Sequence, residues 1–167
     1  MDRQAVIVRR VQVDDAGRVA SFVNRALHGR VEIRPRKVIE RLGDVGFLLA
    51  ERNDVLLGLI GWQVENLVAC VTDLLIWPAN ERERVGRGLL SEMEKGAVEL
   101  QAEVALLLLP PSRLSELLPF CESFGYELRT VADLPGAWRE IAQQAGLDDR
   151  DEIPVKELRA DRVARPL

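Results

Sequence analysis

The chain has 167 residues, 47% of them hydrophobic and 30% charged, and carries a formal net charge of −4. This length buries a real core without disulfide or metal staples, and the acidic balance excludes a general nucleic-acid binder, which needs a basic face. The longest apolar runs, such as Val104–Pro111, are too short to span a membrane as a helix.

The N-terminal half predicts strands around two short helices. Ala5–Val13 is rich in Val and Ile and reads as a strand. Asp14 or Asp15 then caps a helix whose apolar face is Val19, Phe22, Val23 and Ala26, ended by His28-Gly29. Val31–Arg36 connects to a second helix through Val38, Ile39 and Leu42, with Pro35 in its first turn and Gly43 and Gly46 at its end. Phe47–Arg52 and Val55–Val64 flank the turn dipeptide Asn53-Asp54, and Ala69–Trp77 follows Glu65-Asn66. These three strands predict an antiparallel meander.

The second half alternates helix and strand. Gly86-Arg87-Gly88 reads as a turn opening a helix carried by Val85, Leu89, Leu90, Met93, Ala97 and Leu100. Glu103–Leu109 suits a strand buried on both faces. Pro110-Pro111 breaks it, Ser112 caps a helix through Leu114, Leu117, Leu118 and Cys121, and Tyr126–Val131 is a last strand. This alternation requires a crossover and at least one parallel pair, hence a mixed α/β (α+β) fold with a mostly antiparallel sheet flanked by helices. Asp133 caps a further helix, with Pro135 early in it, through Trp138, Ile141 and Ala145. Residues 1–146 read as one domain and 147–167 as a charged C-terminal tail lying on the surface; docking of Ile153, Val155 and Leu158 on a second copy is the alternative.

Cys70 and Cys121 form no metal-type spacing, and no basic segment followed by a long apolar run opens the chain. Reduced thiols, no metal and a cytoplasmic location are the expectation.

Three motifs in one order carry a family resemblance. Asp73-Leu74-Leu75-Ile76-Trp77-Pro78 resembles the fourth strand and closing proline of the GNAT (GCN5-related) N-acetyltransferases. Gly86-Arg87-Gly88-Leu89-Leu90 resembles their phosphate loop and following helix. Phe120-Cys121-Glu122-Ser123-Phe124-Gly125-Tyr126 resembles their C-terminal helix-to-strand passage. The resemblance spans about residues 5–131. It implies acetyl-coenzyme A as co-substrate, with the pantetheine arm in a V-shaped opening between Ala69–Trp77 and Glu103–Leu109. That arm would lie along Leu75, Ile76 and Trp77, and the pyrophosphate would meet Arg84, Val85, Gly86, Arg87, Gly88 and Leu89. A primary amine acceptor would attack directly, near Arg30, Arg34 and Glu65, and a homodimer is compatible with it.

This chain departs from the family pattern at the site itself. Where the phosphate loop has a cation or amide, this sequence has Glu83 or, in the other register, Glu81. The tyrosine that serves such enzymes as general acid aligns with Cys121, and Asp73 is the candidate base or water-orienting group; an ion pair with an arginine is the structural alternative for Asp73. Arg30, Arg34, Arg36, Lys37 and Arg41 crowd the segment that would border the acceptor and favour an acidic one, unless they are a solvated face. His28, the one histidine, follows a helix end and fits a dipole interaction there. The two functional readings are an N-acyltransferase and a GNAT-like module that binds an acyl-coenzyme A, or a protein partner, without turnover.

Overall fold

A computed structural model describes residues 5–43 and 45–159. Seven strands form one sheet in the order β1-β2-β3-β4-β5-β7-β6. They are β1 (Ile7–Arg10), β2 (Gly46–Arg52), β3 (Val55–Glu65), β4 (Val68–Ile76), β5 (Val104–Leu107), β6 (Glu127–Thr130) and β7 (Glu152–Glu157). The helices are α1 (Ala16–Ala26), α2 (Pro35–Leu42), α3 (Arg82–Glu99), α4 (Pro111–Ser123) and α5 (Gly136–Gln144). The predicted parallel pair is β4 with β5, from Val68↔Val104 to Val71↔Leu107, and the pairings of β1 with β2, β2 with β3, β5 with β7 and β6 with β7 are antiparallel. The chain divides into two compact units. One runs to Trp62 and includes Asp73–Met93; the other holds Gln63–Thr72 and the chain from Glu94 onward.

In the first unit, α1 and α2 bury Val19, Phe22, Val23 and Val38 against Leu49, Leu56 and Leu59 of β2 and β3. A fully buried side chain of this kind contributes roughly 1.5–3 kcal/mol. Asn53 and Asp54 both adopt positive φ, the conformation that a two-residue hairpin turn of type I′ demands. Asp15 does not cap α1 through its side chain. Its carboxylate accepts both Nη groups of Arg9 at 2.8 Å and the Gln12 N–H at 2.8 Å, while Arg9 and Arg18 also hold Glu51 on β2. This network ties the edge strand β1 to α1 and β2.

The bond from Arg9 holds the Asp15 carboxyl down at about 2, against a usual 3.8. A carboxylate depressed in the folded state stabilises above its unfolded pKa and loses that contribution as pH falls from about 4 toward 2. With Arg9 partly solvated, the contribution is on the order of 1–2 kcal/mol. Asp15→Asn should therefore lower the melting temperature at pH 7 and bring it level with the wild type near pH 2; a gap that does not narrow on acidification would refute this account.

In the second unit, α5 packs Trp138, Ile141 and Ala142 on Val104 and Leu106 of β5 and Ile153 and Val155 of β7. The surface tail expected over residues 147–167 is thus corrected in part. Glu152–Glu157 is an interior strand between β5 and β6, with Ile153 and Val155 buried; residues 160–167 lie outside the described residues. Two expected caps also shift. Prolines take those positions: α4 begins at Pro111 with Ser112 inside it, and Pro135, not Asp133, precedes α5.

Candidate functional site

β4 ends before Pro78, and a 3-10 turn, Ala79–Glu81, leads into α3. The turn uses the N–H of Glu81, bonded to Pro78 O at 3.0 Å, and that of Arg82, bonded to Ala79 O. Helix α3 therefore starts at Arg82, four residues before Gly86, which corrects the expectation that Gly-x-Gly opens it. An anion at this helix start would meet the N–H groups of Glu83 and Arg84. The glycines serve packing: Gly86 is buried, and a Cβ on Gly88 would lie 3.3 Å from Val8 Cγ2 of β1.

Val85 and Leu89 are core residues, not ligand contacts through their side chains. Both are fully buried and press on β3 at Gly58, where an added Cβ would lie 2.6 Å from Val85 Cγ1 and 2.8 Å from Leu89 Cδ1. Gly58, which no local motif singles out, is the residue that lets the start of α3 lie close on the sheet. At the end of β4, Leu75 and the following Trp77 pack against the first unit's core, Ile76 is buried, and the Trp77 N–H donates to Leu57 O at 3.0 Å.

An open cavity of about 890 Å³ lies at this helix start, lined by Ala5, Val6, Asn80, Glu81, Glu83, Arg84, Arg87, Gly88 and Ser91. Its electrostatics depend on where the two glutamates turn. Glu81 is paired with Arg52 of β2 through both carboxylate oxygens. Glu83 is exposed and meets Arg87 at 3.4 Å, one turn on. Arg84 is exposed and has no ion pair among the described residues. Three arginines thus stand against two glutamates, and of the two carboxylates expected to oppose a phosphate, Glu81 is neutralised by Arg52 of β2 and Glu83 meets Arg87.

A second group of polar residues gathers at β4 within the same unit. Asp73 accepts Arg41 Nη2 at 2.9 Å and Nη1 at 3.3 Å, the arginine pairing weighed for it above. Gly61 of β3 makes room for this carboxylate: a Cβ there would lie 2.7 Å from Asp73 Oδ2 and 2.6 Å from the Phe47 ring. His28 stands edge-on to Trp77, with ring centroids 4.8 Å apart. Arg30 and Arg34 are exposed on the connector between α1 and α2, which Asn24 fastens by exchanging two hydrogen bonds with the backbone of Ile33.

Other predicted site residues fall in the second unit. Glu65 is exposed at the end of β3, before the tight turn at Asn66-Leu67. Cys121 is wholly buried, and burial, with a smaller contribution from Glu122, pushes its thiol up to about 12. Tyr126, buried and pushed well above the usual phenol value chiefly by burial, donates to Glu94 Oε2 at 2.8 Å. Lys156 of β7 bonds the other oxygen of Glu94 at 2.8 Å and lies over the Phe124 ring. The passage from Phe120 to Tyr126 is thus a packed clasp within this unit. Burial also pushes the Cys70 thiol up to about 11. Both thiols should resist a disulfide reagent such as DTNB in the native protein and react once it is unfolded; fast native reaction at Cys121 would show that its shell opens.

No protein-family model matches this chain, and no curated protein matches it by sequence. Its fold is nevertheless found in solved structures. A GNAT-family acetyltransferase from Staphylococcus aureus Mu50 is 15% identical with a TM-score of 0.68, over 93% of this chain and 100% of that one. The PaiA N-acetyltransferase from Thermoplasma acidophilum, in complex with coenzyme A, is 16% identical with a TM-score of 0.65, over 92% and 99%. The ribosomal-protein-S18-alanine N-acetyltransferase from Escherichia coli is 13% identical with a TM-score of 0.65, over 97% and 99%. The chain has the fold of the GNAT acetyltransferases.

Proposed function

We propose that this protein is an N-acyltransferase that takes its acyl group from acetyl-coenzyme A and passes it to a primary amine. The observation that carries this reading is the cavity at the start of α3, where Arg84 and Arg87 stand beside a helix N-terminus and Arg52 draws off Glu81. Charge-assisted bonds to phosphate oxygens need such arginines, and the helix end adds its dipole. The amine nitrogen would attack the thioester carbonyl, the C–S bond would break, and the proton that the nitrogen gives up would end on the departing thiolate, leaving the amide and free coenzyme A. Catalysis would be chiefly positioning, with Asp73 the carboxylate able to meet the amine.

Cys121 favours a second reading, a module that binds acyl-coenzyme A without turnover, because its buried thiol has no exposed face from which to donate a proton. Binding and turnover separate the two. A ligand at a hundred times its dissociation constant stabilises by about 2.7 kcal/mol, so acetyl-coenzyme A and coenzyme A should each raise the melting temperature visibly. Release of free thiol from acetyl-coenzyme A in the presence of amines then supports the enzyme, and binding without release supports the module. No thermal response to either ligand overturns both.

A further inference from the structure

We propose that Arg41 and Asp73 form the recognition pair for the acceptor, and that the acceptor is a zwitterionic small molecule: a primary amine that also carries an anionic group. The inference rests on the acyltransferase reading and names the substrate class of that site. The pair is partly exposed, with side chains 40% and 25% accessible, so a solute can reach it.

The pair is also built. Arg41 comes from the last turn of α2 and lies 5.5 Å above the Phe47 ring, while Gly61 leaves the space in which the Asp73 carboxylate rests. Both Arg41–Asp73 bonds come from the Nη groups, and the Arg41 Nε–H has no partner among the described residues. A guanidinium has five N–H donors in a rigid fork, so two bonds to Asp73 leave donors for a second carboxylate or a phosphate. The Asp73 carboxylate supplies the complementary half, an acceptor for an ammonium group. Arg36 and Lys37 share the single carboxylate of Glu40 at 3.9 and 3.8 Å, whereas Arg30 and Arg34 carry no ion pair among the described residues, so the approach from the α1–α2 connector has surplus positive charge. An acceptor with only an amine would answer the aspartate and leave that surplus unanswered.

The test measures binding and acyl transfer with a panel: L-glutamate, L-alanine and phosphoethanolamine as zwitterions, butylamine as the amine alone, glutarate as the acid alone, and a C-terminally amidated tripeptide. Binding is read by saturation-transfer NMR on the protein with and without coenzyme A, so failure of coenzyme A to bind is scored apart from failure of the acceptor. At least one zwitterion should bind and exceed butylamine and glutarate by about tenfold or more, the scale of one charge-assisted bond. L-glutamate or L-alanine leading identifies a carboxylate acceptor, and phosphoethanolamine a phosphate one. Arg41→Gln should bring the zwitterion-to-butylamine ratio toward one, and Arg41→Lys should restore part of it if the cation and not the packing matters. Equal binding of zwitterions and butylamine, a ratio unmoved by Arg41→Gln in a folded variant, or a preference for the amidated peptide would overturn the proposal.

Discussion

Replacing Gly58 by valine is expected to lower the melting temperature by several degrees and to weaken coenzyme A binding together with it. Strand propensity alone argues for the opposite sign, since valine suits a strand better than glycine by at most about 1 kcal/mol. Overpacking decides the sign. The first added carbon would lie 2.6 Å from Val85 Cγ1 and 2.8 Å from Leu89 Cδ1, in a core where both side chains are fully buried. Side chains with no room to retreat transmit such a clash to the backbone, at a cost of about 1–3 kcal/mol. The element that must yield is the first part of α3, which carries Arg84, Arg87 and Gly88. Calorimetric titration with coenzyme A beside thermal melting would read both effects. An unchanged melting temperature would mean that α3 is not seated through this glycine.

Gly58 also marks what a sequence conceals. The meander, the parallel crossover and the amphipathic helices were legible because periodicity and turn dipeptides record burial directly. The start of α3 was misplaced because glycine looks like a helix opener, although Pro78 and the early acidic Glu81 and Glu83 are the stronger signals of an N-terminus. Strand β7 was hidden by its composition. Charges and Pro154 argue against an interior strand, yet Pro154 lies where β7 is paired with β6 alone, since pairing with β5 begins at Val155.

At the candidate site, residue types were readable and their partners were not. Glu81 looked hostile to phosphate until Arg52, 29 positions away, was seen to hold it. Asp73 reads either as a base or as half of an ion pair with an arginine, and nothing local names the partner, Arg41, 32 positions away. Cys121 sits at the motif spacing of an acid, but spacing carries no information on burial. In each case the missing fact is a long-range contact, which local pattern does not encode.

Reversing the charge of Arg84 and Arg87 together, as Arg84→Glu with Arg87→Glu, is expected to reduce coenzyme A affinity by at least about a hundredfold. Each bond to an ionised phosphate is worth about 1.5–3 kcal/mol, and each reversal also adds repulsion, so two changes exceed the roughly 2.7 kcal/mol that a hundredfold requires. The fold should survive, because both side chains are exposed. The complementary change is Arg52→Gln, which leaves Arg84 and Arg87 in place but frees Glu81 to face the cavity. It should weaken binding more mildly and more steeply at low salt, where an unscreened carboxylate repels most. Arg36→Glu, an exposed reversal on α2, provides the control for net charge. Should the double variant bind coenzyme A as the wild type does, the cavity at α3 is not a phosphate site, and the affinity measured for Arg52→Gln would be expected to stay unchanged as well.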